Sequence, residues 1–373
     1  MKICIVGGGN IGSAIAAEIS QRHEVIMLTS RPEKWGERLE SYDVESGIRI
    51  FGSLYKVTND YSSSISESDV VILTVPSFLM QKEINKISDY IRTSTILCVV
   101  PGSGGTEFIC RDLIKKGVSV CGLDRVTHVS RVKEYGHRVQ VAKKRGTRIA
   151  GFPNHNTNEI ASLMSKLLQM NFEPLNNFLT VTFTPSNPIV HTSRLFAMLE
   201  EHIHTVWDHN VLFYGEWDDH ASEIMLRCDD ELQRLCRKIE NTCGLDMRGV
   251  ISLQKHYGVR TARELTQKMK SIKSMNRIES PMIKITDGFV VDLNSRYFQE
   301  DFPYGLAIIK SFAELFKVET ETIDEILKWY CKAFQQKYYY DGRFNGIDLK
   351  NLPLPQNYGV LTPKDVSCFY RPV

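Results

Sequence analysis

The sequence predicts a doubly wound α/β domain followed by an all-helical one, and three features carry that prediction. Near-continuous Val, Ile and Leu runs alternate with helix-like segments through the first half, the pattern of a parallel sheet buried on both faces. The first run ends in a cluster of glycines that opens onto a helix. Beyond about residue 180 the strand-like runs stop and helical periodicity takes over. A chain of 373 residues is also too long for one ordinary core.

Strand-like runs lie at Lys2–Val6, Glu24–Leu28, Val70–Val75, Thr95–Val100 and Val118–Leu123. Helices are expected between them at Ile11–Arg22, Phe78–Tyr90 and Thr106–Lys116. "HRVQVAKK" and "RIAGF" read as shorter strands, followed by a helix from about Asn158 to Gln169. The character changes around "LTVTFTPSNP", which places a boundary near Leu179–Ser186 and divides the chain into 1–181 and 182–373. The second part is expected to hold helices at Ile189–Trp207, Ala221–Cys243, Ala262–Met269, Tyr304–Phe316 and Thr322–Tyr330. Its tail, "DLKNLPLPQNYGVLTPKDVSCFY", has prolines and little periodicity and reads as an extended strap.

Composition narrows the function classes. The 42% hydrophobic and 24% charged residues are those of a globular protein, and a net charge of +2 gives no reason to expect nucleic acid or an acidic membrane. No apolar run approaches the roughly 18 residues of a bilayer span. The short apolar N-terminal run ends in glycines, not in a small-residue cleavage site, so no signal peptide is read. Nine cysteines are scattered without a C-x-x-C pair. Cys228, Cys236 and Cys243 share a helical neighbourhood, but their spacing suits no usual zinc site. Buried, reduced cysteines and a cytoplasmic location are the expectation. His202 and His204 stand two apart on a helix and point to different faces, so with His209 they make no metal site. "KYYYDGRF" reads as packing plus solvated charge, not as a nucleic-acid patch.

In "KICIVGGGNIGSAIAAEI" the glycines fall at the first strand-to-helix turn. Gly7 makes the turn, Gly9 lets the backbone approach a pyrophosphate, and Gly12 lets the helix lie close to the strand. The amides of Asn10 and Ile11 open a helix whose positive end faces the phosphates. This is a Rossmann-type dinucleotide site. An NAD site usually carries Asp or Glu at the end of the second strand, whereas "VIMLTSRPEKW" places Thr29, Ser30 and Arg31 there, with Lys34 beyond. Arg31 can take a 2′-phosphate bidentately, a charge-assisted contact of about 1.5–3 kcal/mol. NADP is therefore favoured, with NAD as the other option. Val75, Pro76 and Ser77 in "LTVPSF", and Gly102–Gly105 in "VVPGSGGTEF", end the next strands and would line the cofactor.

A substrate half is sought in "TPSNPIVHTSRLFAMLEEHIH". Asn187 is read as the N-cap and Pro188 as the first helical residue, which puts His191 about one turn in. In "LNSRYFQEDFPYGLAIIKSFAELF", Arg296 and Asp301 lie on a non-helical approach to a helix starting near Pro303. Asp301 could hold the His191 imidazole in one tautomer for general acid/base work, and Arg296 could clamp a substrate carboxylate. Arg194 is read as a solvated helix charge, with an extra anionic substrate group as the other reading.

"NPIVH" and "SRYFQEDFPYGL" resemble the two signatures of the opine dehydrogenases, the octopine/nopaline dehydrogenase family. "CGLDRVTHVSRVKEYGHRVQVAKKRGTRIAGFP", "LFYGEWDDHASEIMLRCDDELQRL" and "NYGVLTPKDV" resemble further segments of that family, so the likeness runs over nearly the whole chain. The resemblance implies a Rossmann domain, an all-helical domain and an active site between them. It implies NAD(P)H-dependent condensation of an amino acid amine with a 2-oxo acid such as pyruvate, giving a secondary amine dicarboxylate. His191 would be the acid/base, Asp301 its partner, Arg296 a carboxylate anchor and Asn187 a substrate or cofactor contact. Thr192 stands where family members often have proline, and "GLDRVTH" departs from the family's usual version, which bears on substrate identity. The rival readings are an NADP-dependent 2-oxo-acid or ketopantoate-type reductase and a non-catalytic nucleotide sensor. Small molecules are the expected partners, and a homodimer is compatible with the sequence.

Overall fold

The computed structural model describes residues 1–371. The chain divides into two compact units, Met1–Thr182 joined by the residues from Tyr370, and Phe183–Phe369.

The first unit is built on β1 (Lys2–Val6), β2 (Glu24–Leu28), β3 (Arg38–Asp43), β4 (Arg49–Ser53), β5 (Lys56–Thr58), β6 (Val70–Leu73), β7 (Ile96–Val99), β8 (Ser119–Leu123), β9 (His128–Glu134), β10 (Arg138–Lys143), β11 (Gly146–Phe152) and β12 (Asn171–Pro174). Eight of them form one sheet in the order β12-β11-β8-β7-β6-β1-β2-β5. It is parallel except where β11 runs antiparallel to β8. Successive side chains of β1 feed opposite faces: Ile3 and Ile5 join one core, Cys4 and Val6 the other. That two-sided burial is why the strand reads as a continuous apolar run.

A second sheet, ordered β4-β3-β10-β9, is not signalled by its short, half-polar strands. It covers the outer side of the helix Asn10–Ile19, which is consequently buried from Gly12 through Ile19. The small residues of "SAIAA" permit this: Ala14 packs on Val139 and Val141, and a Cβ on Gly52 would lie 2.7 Å from the Ala17 carbonyl. Buried Glu18 pins the arrangement, pairing with His128 at 3.2 Å and with Lys143.

After β7 the chain turns into a short helix carrying Glu107, which has no exposure. Its Oε1 accepts hydrogen bonds from the Thr182 and Tyr370 hydroxyls, each at 2.6 Å. Burial without a cation pushes this carboxyl up to about 7.

The second unit is helical, with long elements at Ser186–Leu199, Asp219–Cys243, Ala262–Ser271, Ala307–Phe316 and Glu321–Phe334. The helix Asp219–Cys243 starts at an Asp218 cap that accepts from the Ala221 amide and stops at left-handed Gly244. Its inward face includes Cys228, Leu232, Leu235, Cys236, Ile239 and Cys243, so these cysteines are core residues. A hairpin, Met282–Ile285 with Gly288–Val291, adds a small sheet that helical periodicity does not signal. The tail is not an extended strap. It winds through short turns at Ile347–Asn351 and Pro355–Tyr358 and ends in the helix Pro363–Tyr370. Among the described residues no helix is long and apolar enough to cross a membrane.

Because the folded unit raises the Glu107 carboxyl above its ordinary value of 4.5, the native state holds an extra proton between that value and about 7. Stability is then greatest below this window and falls as pH rises through it. Glu107→Gln, which keeps an acceptor for both hydroxyls, is expected to melt a few degrees higher than the parent at pH 8. The gap should close towards pH 5, as thermal denaturation across that range would read.

Candidate active site

The cradle follows from what each glycine permits. Gly7 adopts φ 109°, which disfavours other residues, and a Cβ on Gly12 would lie 1.9 Å from the Gly7 carbonyl. Gly9 faces open space: a Cβ there would meet nothing within 4 Å, as a backbone approached by a phosphate requires. The helix then begins at Asn10 with its amides towards that space. The Asn10 side chain is not available to a ligand in the same way: its Oδ1 accepts from the Val132 amide at 2.7 Å and holds β9 in place.

At the end of β2, Thr29 is buried and its hydroxyl lies 2.8 Å from the Tyr135 hydroxyl. The exposed Arg31 lays its guanidinium over the Tyr135 ring at 4.3 Å, and Trp35 meets the same ring edge-on at 5.7 Å. Ser30 and Lys34 are exposed beside them. Trp35 fills the space a Cβ on Gly8 would enter, and its buried indole N–H has no acceptor among the described residues. Tyr135 comes from the β9–β10 turn, 106 residues from Thr29 along the chain, and no sequence pattern points to it. Val75 and Pro76 are half-buried at the end of β6, and Ser77 opens the helix Ser77–Ile87. Open backbone at Gly9, a leftover indole donor and a stacked arginine beyond β2 fit a dinucleotide.

In the helical unit the helix Ser186–Leu199 is capped by Pro185, not by Asn187. Asn187 lies exposed in its first turn and makes no capping bond, because the helix begins two residues earlier than the Asn-Pro pair suggests. His191 lies on this helix with its side chain 14% exposed.

The approach to Pro303 is not irregular. Tyr297–Leu306 forms a π-helix that contains Pro303 and runs directly into the helix Ala307–Phe316. Wide i→i+5 turns accommodate a proline without the amide that an α-helix would need. Phe298 and Phe302 stack into the core against Tyr330 and Phe334, which buries Asp301 between them in sequence. Gly305 brings the π-helix onto the His191 helix: a Cβ there would lie 2.9 Å from Pro188.

At that contact His191 Nδ1 is 2.8 Å from Asp301 Oδ2, and His191 Nε2 is 3.0 Å from the Tyr214 hydroxyl. Burial pushes Asp301 up, opposed by the imidazole and by Arg296. Tyr297 lies against the imidazole at 4.7 Å and Phe213 meets it edge-on at 5.5 Å. Arg296 is well exposed and reaches Glu300 at 2.6 Å, one turn along, so its charge is shared with a carboxylate.

Arg194 is neither a solvated charge nor open to a substrate anion. It is 2% exposed, donates to the Phe213 and Glu216 carbonyls, and pairs with Asp218 at 2.7 Å. Two backbone carbonyls and a cap carboxylate stabilise a buried guanidinium that solvent would otherwise claim.

Residues 2–102 match the family described as NADP oxidoreductase coenzyme F420-dependent, and residues 174–334 match the NAD/NADP octopine/nopaline dehydrogenase, alpha-helical domain. The octopine dehydrogenase of Pecten maximus is 24% identical over 97% of both chains. The tauropine dehydrogenase of Arabella iricolor is 25% identical, over 96% of this chain and 98% of that one. A solved octopine dehydrogenase carrying NADH and L-arginine superposes with a TM-score of 0.86, at 24% identity over 98% of this chain and 97% of that one. The nucleotide cradle and these likenesses define an NAD(P)-dependent dehydrogenase of the class acting on CH–NH donors. Over nearly its whole length the chain is similar to opine dehydrogenases, and residues 174–334 match that family's helical domain.

Gly305→Ala is expected to push the π-helix off Pro188 and lower stability by about 1–3 kcal/mol, the usual cost of overpacking a close contact. Chemical denaturation should read that loss, with turnover falling further than stability as the His191–Asp301 pair opens.

Proposed function

We propose that this dehydrogenase condenses the amine of an amino acid with a 2-oxo acid such as pyruvate and reduces the product to a secondary-amine dicarboxylate, with NADPH preferred over NADH. The observation that carries the reading is the His191–Asp301 pair at 2.8 Å, buried at the contact of two helices within an opine dehydrogenase domain.

The chemistry asks little of the protein beyond alignment and one proton. Asp301 accepts from His191 Nδ1–H and fixes the tautomer, so that Nε2 is the nitrogen that gains and loses a proton. As the amine adds to the 2-oxo carbon, the oxygen must leave as water, and His191 is the source of the proton it takes. A bound pyridine nucleotide supplies the hydride that reduces the resulting carbon–nitrogen double bond. The exposed Arg296 anchors a substrate carboxylate by turning from its half-buried Glu300 partner. Asn187, exposed in the first turn of the helix that carries His191, is a further polar contact for substrate or cofactor. In the first unit Gly7, Gly9, Asn10, Ile11 and Gly12 receive the pyrophosphate, and Val75, Pro76 and Ser77 line the cofactor. Thr29, Ser30, Arg31 and Lys34 receive the 2′-phosphate, with Arg31 held ready on the Tyr135 ring. Cysteines that form no disulfide among the described residues accord with a cytoplasmic setting.

His191→Ala should lower turnover by about 10²–10⁴, the usual share of a positioned acid/base, and leave NADPH affinity nearly unchanged. The reaction class is tested by following NADPH oxidation with 2-oxo acids alone and with the same acids plus a panel of amino acids. Oxidation that needs no amine would refute it. Arg31→Ala should weaken NADPH binding about ten- to a hundredfold while moving NADH binding little. Fluorescence titration reads both constants, and tighter NADH binding by the parent protein would overturn the preference.

A further inference from the structure

We propose that Tyr214 is the relay through which His191 exchanges its proton with the substrate, an inference that rests on His191 being the acid/base. The imidazole has two nitrogens and both are engaged: Nδ1 with Asp301 at 2.8 Å, Nε2 with the Tyr214 hydroxyl at 3.0 Å. The nitrogen that must deliver a proton therefore already has a hydroxyl on it.

A hydroxyl both donates and accepts, which suits it to pass a proton without holding one. As Nε2–H breaks, its proton bonds to the Tyr214 oxygen, and the proton first on that oxygen bonds to the departing substrate oxygen. Imidazolium becomes neutral imidazole, the substrate hydroxyl becomes water, and the phenol ends as it began. Tyr214 is 6% exposed, and burial pushes its ionisation well up, so it stays a neutral phenol throughout.

The surroundings hold Tyr214 to this place. Arg194, three residues after His191 and so on the same face of the helix, donates to the carbonyls of Phe213 at 3.2 Å and Glu216 at 2.8 Å. It thus fixes the backbone on both sides of Tyr214. The Tyr214 ring lies parallel to Trp217, 6.0 Å away, and the Trp217 indole donates to Ser222. The titratable groups acting on the trio are Tyr297, Tyr257, Arg296 and Glu300. A tyrosine serving only to fill space needs no such clamp on its main chain.

The test compares Tyr214→Phe, His191→Ala and the parent with the most active substrate pair from the amine panel. Melting temperature, kcat, KM and the solvent deuterium proton inventory are read for each. A relay predicts that Tyr214→Phe loses about 10²-fold or more in kcat, within the range of a positioned proton donor. KM should change less than about twofold, and a curved proton inventory should become linear as one of two moving protons is removed. Should the phenylalanine variant fold poorly, 3-fluorotyrosine at 214 keeps ring and hydroxyl but makes the phenol more acidic, and a relay predicts a changed kcat and isotope effect. Unchanged or faster turnover in the phenylalanine variant, or an unchanged kcat and isotope effect in the 3-fluorotyrosine variant, beside a collapsed His191→Ala, would overturn the relay and leave the acid/base reading standing. Full turnover in His191→Ala would overturn both.

Discussion

An imidazole can serve as an acid/base only if its ring is held in one orientation, and the helical unit is arranged around holding the ring of His191. The hold is two-sided, by a carboxylate on one nitrogen and a phenol on the other. Each side depends on a different long-range contact. The carboxylate arrives because Gly305 lets a π-helix lie against Pro188, and because stacked phenylalanines anchor that helix in the core. The phenol arrives because Arg194 ties down the turn that carries it. A buried arginine satisfied mostly by main-chain carbonyls is costly to desolvate, and its presence there makes sense as a fixture for backbone position.

The nucleotide end works by the opposite logic. Three glycines act through what they lack, each leaving room for a neighbouring atom or a ligand. Only the far edge of the cradle is built from large groups, where Arg31, Trp35 and Tyr135 meet. Those three come together because the second sheet folds over the first helix and delivers the β9–β10 turn to the end of β2. The small face of that helix thus serves its own packing and the placement of Tyr135 beside Arg31 at once.

Legibility from sequence follows the reach of each interaction. Strand, turn and helix around Gly7, Gly9 and Gly12 are set by neighbours within a dozen residues, and the pattern of those residues declares them. His191 and Asp301 are readable as residue types on their own segments, although their meeting spans 110 residues. Tyr135 and Tyr214 are not readable, because an aromatic in a loop looks the same whether it packs, stacks or donates. Arg194 departs from its expected solvated place for a related reason: helical spacing says which face a charge occupies but not which carbonyls await it. The second sheet escapes a sequence reading because strands such as "RIFGS", covered on one side only, carry too few apolar residues to stand out from loops. The π-helix escapes it because proline and glycine ordinarily mark breaks, and here they sit inside a widened helix.

Glu107 receives hydroxyls from Thr182, where the chain is about to leave the first unit, and from Tyr370, where it returns. The second unit is therefore an insertion whose two ends are fastened to a single side chain. During synthesis the first unit cannot complete its interior when its own sheet has been made, because one hydroxyl for Glu107 is encoded after the whole insertion. Until then a carboxyl destined for the core has only half its partners and keeps its affinity for water. Closure of the first unit's interior is thus coupled in time to translation of the whole helical unit.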